Sequence, residues 1–195
     1  MLENPGHSLY KHVLRGRAGV RPGAAKSGKT VKFNLLDRIE SLSDDRIVAI
    51  KQVSLAEEYL ADHFPTFPVL PGVMMLEALT QAAAWLLHRR HNFARSLAVL
   101  REVRNVRYGH FVAPGNVLRV DVHATKWTET GGKFQATGTV GDAQAVTAKL
   151  EMSYVNLADR DGQLAGIDRK LQEHNRRRWA LLHCSETSMP LTTDN

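Results

Sequence analysis

The sequence predicts an α+β domain in which an antiparallel sheet wraps one long central helix. Two observations carry this reading: a strongly apolar helical stretch from Gly72 to about Arg90, and strand-like segments that follow it with turn signals between them. Apolar residues surround the helix axis (Val73, Met74, Met75, Leu76, Leu79, Ala82, Ala83, Trp85, Leu86), so burial on most sides is expected. Residues 96–108, 117–128, 133–140 and 145–155 read as strands, and Gly131-Gly132 and Gly141-Asp142 as the hairpin signals between the last three.

Upstream, Gly, Pro, Lys and Arg crowd residues 14–32 and no hydrophobic period can be followed, which marks residues 1–32 as a basic arm. Phe33, Leu35, Leu36 and Ile39 lie at helical spacing and predict a short apolar turn. A polar loop at 41–45 and a β-branched strand at 46–54 follow. Pro71 and Gly72 give the long helix a rigid entry and an uncovered N-terminus. Ile167, Leu171, Trp179 and Leu182 among charges predict an amphipathic helix in a C-terminal extension, residues 156–195, beyond a domain at 33–155.

With 195 residues and 43% hydrophobic content the chain can bury one core but not two comfortable ones. The single cysteine, Cys184, excludes an intramolecular disulfide and any multi-cysteine metal site, which fits a reducing compartment. The N-terminus has no apolar region of signal-peptide length and no segment offers a long charge-free apolar run, so a cytoplasmic protein without a membrane span is expected. Net charge is +6, and residues 1–33 hold seven Lys or Arg against one acid. The basic excess therefore belongs to the arm, read as solvated, although such an arm can also attract anionic partners.

GAAKSGKT at 23–30 satisfies the phosphate-loop pattern letter by letter. A phosphate cradle needs a buried strand before it and a long helix after it, and neither is present, so neither nucleotide nor nucleic-acid binding is expected. His88, His91, His110 and His183 show no metal-ligand spacing, and the RRRW run at 176–179 reads as a solvated helix face.

The chemistry concentrates in HFPTFPVLPGVMMLEALTQ, residues 63–81. His63 opens a loop stiffened by Pro65, Pro68 and Pro71, which limits how far its imidazole wanders. Glu77 sits one turn into a helix of Leu, Met and Ala, where burial would favour the protonated carboxyl and make it a proton donor. Gln81, four residues on, can hold that carboxyl by a hydrogen bond. The Gly72 N–H, at the positive end of the helix dipole, points where an oxyanion could develop. Together these are a base, an acid and an oxyanion donor.

This segment strongly resembles the FabZ and FabA dehydratases of type II fatty-acid synthesis. Their signature is His-Phe-Pro-Gly, a short span, Pro-Gly-Val, then an acid followed by Ala and, three residues later, Gln. His63, Phe64, Pro65, Pro71, Gly72, Val73, Glu77, Ala78 and Gln81 fall in the matching places. Glu at the acid position is similar to the FabZ branch, FabA enzymes carrying Asp. FNLLDRI at 33–39 and VRYGHFVAPGN at 106–116 resemble the family's opening segment and its Phe-x-x-Pro-Val-x-Pro-Gly-Asp loop.

The resemblance implies a hotdog fold and a dehydration in which His63 removes the proton alpha to a thioester while Glu77 protonates the departing hydroxyl. It implies Gly72 and Val73 as oxyanion and substrate contacts, Gln81 as support, and no metal or redox cofactor. It also implies acyl carrier protein as partner and a homodimer, or a trimer of dimers, in which His63 of one copy faces Glu77 of the other. Thr66 departs from the pattern, standing where the family has Gly. A positive φ or a close backbone approach there would strain the loop. That departure motivates a non-catalytic acyl-thioester-binding module as an alternative, and a hotdog thioesterase is another, because fold does not fix function.

Overall fold

The structure, a computed structural model, describes residues 33–183. The basic arm, the phosphate-loop pattern and Cys184 lie outside the described residues.

Six strands form one antiparallel sheet: β1 (Arg38–Leu42), β2 (Arg46–Gln52), β3 (Leu97–Tyr108), β4 (Val117–Thr128), β5 (Gly131–Val140) and β6 (Ala143–Val155). Their spatial order is β1-β2-β4-β5-β6-β3. Strands β4, β5 and β6 alternate buried with more exposed residues at a period of two, which assigns one face to the core. In β4, Leu118, Val120 and Val122 are buried; in β6, Val146, Ala148, Leu150, Met152 and Tyr154 are. Helix α1 (Gly72–Arg90) lies on that face and packs against β2 through β6. Its contact stripe is Met75, Ala78, Leu79, Ala82, Ala83 and Leu86, all buried. The alanines let the helix backbone approach the strands closely.

Helix α1 is less enclosed than its sequence predicts. Val73 is 69% exposed, Glu77 is exposed, and Met74, Leu76 and Trp85 are only partly buried. One sheet covers one side of a cylinder, and nothing in the described residues covers the opposite side of the N-terminal half. At the sheet margin β3 is an edge strand of twelve residues with Val99 and Tyr108 exposed, a template for pairing with another chain.

Two further expectations need correction. Residues 33–37 form no helix: Leu35 and Leu36 are both buried core residues in an irregular segment, and Ile39 already belongs to β1. Their helical spacing reflects successive insertion of side chains into the core, which a periodicity count cannot distinguish from a turn of helix. Gly131 and Gly132 do not make the β4–β5 turn, which falls at residues 129–130; they begin β5. Gly131 is required by proximity, since a Cβ there would sit 2.0 Å from the Met152 carbonyl oxygen. Gly141-Asp142 does form the β5–β6 turn.

The predicted C-terminal helix is present as α2 (Ala165–Leu182), and it is firmly docked. Asp168 in its first turn is buried and accepts hydrogen bonds from Ser96 Oγ, from Leu157 N at 2.9 Å and from Ala158 N at 2.8 Å. Burial pushes its carboxyl pKa up, and these donors more than reverse that, leaving it below the usual value. Further along, Asn175 donates to the Ser96 carbonyl at 3.1 Å, and Trp179 packs at a tilt near Trp85 with ring centroids 6.0 Å apart. The helix also braces Phe93, a non-glycine residue at φ 58°, whose ring lies between Trp179 and His88.

His88 is the polar centre of this contact. Its Nδ1 lies 3.1 Å from the Tyr154 hydroxyl and its Nε2 3.4 Å from the Asn175 amide nitrogen. Burial lowers its pKa from 6.5 to about 4. Because the folded pKa is depressed, the unfolded chain binds the proton first. Stability is therefore full above pH 6.5 and falls as pH drops toward 4, by up to ~1.4 kcal/mol per pH unit. Denaturant titrations across that range should show the slope in the wild type and a flatter profile in His88→Gln; equal slopes would remove His88 as the cause.

Candidate active site

His63 is held at both ends of its loop. Its carbonyl accepts from Val69 N at 3.0 Å, and its Nδ1 lies 3.1 Å from the Val69 carbonyl oxygen. A carbonyl only accepts, so Nδ1 carries the proton and Nε2 of the neutral ring keeps the free lone pair. Between these anchors Phe64 and Phe67 exchange backbone hydrogen bonds of 3.3 and 3.0 Å, closing a tight turn. Leu70 N then donates to the Val112 carbonyl at 2.8 Å, tying this loop to the one at 109–116. Thr66 lies at the exposed tip of the turn and is not among the residues with positive φ. The positive φ that would disfavour Thr in place of Gly is absent.

The imidazole opens onto a cavity of about 330 Å³ shared with Gly72, Met75, Tyr108, His110 and Phe111. Gly72 is the first residue of α1, and its N–H has no acceptor among the described residues, as helix geometry dictates for that position. A Cβ here would meet the Tyr108 ring at 3.0 Å, a tight contact that the ring would have to shift slightly to relieve. A hydrogen-bond donor at the positive end of a helix thus faces the same space as an imidazole.

Glu77 lies one turn along α1, does not line this cavity, and is exposed. Within one chain the structure therefore unites His63 with Gly72 and separates both from Glu77. Val73, also away from the cavity lining, shares the uncovered face with Glu77. The burial expected for the carboxyl is not supplied by its own chain. The support expected from Gln81 is present: its Nε2 donates to Glu77 Oε1 at 3.1 Å. Its Oε1 accepts from the Leu35 backbone N–H at 3.0 Å, which orients the amide and leaves the donor end for the carboxylate. The segment 33–37, irregular in structure, thus serves the site through one backbone hydrogen bond.

Sequence reasoning missed Tyr108, His110 and Phe111 as cavity residues. The 106–116 segment stood out only as a family-like loop, whereas its contact with Gly72 depends on where the end of β3 meets the start of α1. Phe111 also packs edge-on against Phe67, with centroids 5.8 Å apart, joining the two loops at the cavity rim.

The FabA-like domain family matches residues 29–149. The chain belongs to the FabA-like family. Among its relatives, the 3-hydroxyacyl-[acyl-carrier-protein] dehydratase FabZ of Pelotomaculum thermopropionicum is 39% identical over 119 residues, 60% of this chain and 85% of that protein. The FabZ of Solibacter usitatus is 38% identical over 130 residues, 66% of this chain and 78% of that protein. Among solved structures, the dehydratase heterocomplex ApeI:P from Xenorhabdus doucetiae superposes with a TM-score of 0.55 at 21% identity, covering 68% of this chain and 90% of that one. The fold is the hotdog. The FabA-like match ends before α2, so that helix lies outside the matched residues. Among the described residues of this FabA-like protein no helix is long and apolar enough to cross a membrane.

The Gln81 bridge is open to test without any assay of turnover. Gln81→Leu leaves the Leu35 N–H without its acceptor and should lower unfolding free energy by about 1–3 kcal/mol. Gln81→Glu, which keeps an acceptor for Leu35 but sets a second carboxylate against Glu77, should regain stability as pH is lowered and the pair takes up a proton. Wild-type stability in Gln81→Leu would mean that the bridge holds nothing.

Proposed function

We propose that this chain is a (3R)-hydroxyacyl-[acyl-carrier-protein] dehydratase that eliminates water to give a trans-2-enoyl thioester. The observation that carries the reading is the pairing, in one cavity, of an imidazole whose Nδ1 is committed to the Val69 carbonyl with a free N–H at the start of α1. It is supported by FabZ dehydratases that are 39% and 38% identical to this chain.

In the proposed reaction the thioester carbonyl oxygen accepts from the Gly72 N–H, with Val73 beside it, and the helix dipole stabilises negative charge as it develops there. His63 Nε2 takes the proton from the alpha carbon. Glu77, steadied by Gln81, gives a proton to the beta hydroxyl, which leaves as water while the alpha–beta double bond forms. Return of the proton from His63 to Glu77 through solvent resets the site, so the cycle needs no metal or redox group. The substrate comes on the phosphopantetheine arm of acyl carrier protein.

Glu77 does not reach the cavity of its own chain, so the reading requires a second copy to supply it. The uncovered face of α1 and the unpaired edge of β3 are the surfaces available to that copy. Packing there would also desolvate Glu77 and favour its acid form. Thr66 has no positive φ, which weakens the case for a non-catalytic binding module.

The test is hydration of a trans-2-enoyl carrier-protein substrate by the wild type and two variants. His63→Ala and Glu77→Gln should each fold normally and lose about 10²–10⁴-fold in kcat. Turnover near wild type in either would remove that residue from the mechanism, and release of free thiol without hydration would replace the dehydratase with a thioesterase.

A further inference from the structure

The three arginines of the 176–178 run have separate fates. Arg176 is exposed but engaged, donating to the Asn92 carbonyl at 3.3 Å and lying over the Phe93 ring. Arg177 is exposed. Arg178 is partly buried and faces a groove between α2, α1 and residues 34–36.

This groove has a volume of about 180 Å³ and is lined by Asn34, Gln81, Trp85, His174, Arg178 and Leu182 among others. Among the described residues no acid lines it. Arg178 has no hydrogen bond or ion pair among the described residues. A guanidinium keeps its charge at all accessible pH, and partial burial without a counter-ion is costly. Below it the floor is apolar, formed by Leu36, Trp85 and Leu182. A fixed cation with an unused planar fork above an aromatic and aliphatic floor suits a ligand with a carboxylate head and a short alkyl chain. The volume admits about six water-sized groups, hence a chain of about four to six carbons.

We propose that the α1–α2 groove is a binding site for a short-chain alkyl carboxylate, with the head on Arg178 and His174 and the chain along Trp85 and Leu182. The site stands apart from the His63 cavity, shares no lining residue with it, and is independent of the dehydratase reading. It touches the candidate active site at one point, because Gln81, one of its walls, also holds Glu77.

Tryptophan fluorescence reads this groove directly. Two of the chain's three tryptophans, Trp85 and Trp179, are in or beside it, while Trp127 packs on Phe134 and under Arg90. Titration of the full chain with hexanoate should give a saturable change in emission. Arg178→Gln should weaken the midpoint at least about tenfold, the scale of one charge-assisted hydrogen bond. Arg178→Lys should fall between, and Arg177→Gln should match wild type. Hexan-1-ol and inorganic phosphate at the same concentrations should give no saturable change. An equal response to hexan-1-ol would reduce the groove to an apolar crevice, and an equal response to phosphate would reduce it to a simple anion site. Unaltered hexanoate binding in folded Arg178→Gln and Arg178→Lys would place the ligand elsewhere, and each of these results overturns the proposal.

Discussion

A single sheet layer can cover only one side of a helix, and the organisation of this protein follows from how α1 divides its surface under that constraint. The side carrying Ala78, Ala82 and Ala83 fits closely against the strands and forms the core. The opposite side keeps Val73 and Glu77 at its N-terminal end and Trp85 at its C-terminal end. At the C-terminal half it is covered by α2. At the N-terminal half nothing in the described residues covers it, and the proposed chemistry lies there.

The two halves differ in what holds them. Helix α2 is fixed by directional polar contacts, with buried Asp168 collecting donors from Ser96, Leu157 and Ala158, and His88 set between Tyr154 and Asn175. Such networks specify one arrangement because each buried polar group is costly when its partner is lost. The N-terminal half instead leaves Val73 exposed, beside the exposed aromatic side chains Phe64, Phe67, Phe111 and Tyr108 around a cavity with an imidazole in its wall. In the proposed assembly a second copy closes this side and delivers its own Glu77 to the cavity.

The motif at 63–81 was legible because each residue acts through local geometry. Prolines stiffen the His63 loop, an i to i+4 spacing joins Glu77 to Gln81, and a helix start exposes the Gly72 N–H. Helix α1, all six strands except β1, and α2 were similarly readable from periodicity and turn residues. What escaped was long-range. The partner of Gln81 is a backbone N–H 46 residues away, and no side-chain pattern announces it. Tyr108 crowds position 72 only because two distant segments meet there. Gly131 looked like a turn residue because a turn and a close strand crossing both demand glycine, for different reasons. The uncovered face of α1 was read as buried because an apolar residue looks the same in a core and at a surface that awaits a partner.

The account depends on one imidazole and one carboxyl, donated by different copies, acting on the same substrate. Subunit mixing tests this most directly. Co-folding His63→Ala with Glu77→Gln in equal amounts should produce mixed dimers with one intact site each, recovering about a quarter of wild-type hydration activity from two nearly inactive parents, as random pairing of a two-fold dimer dictates. Mixtures that form such dimers yet show no more activity than the parents would contradict the shared site.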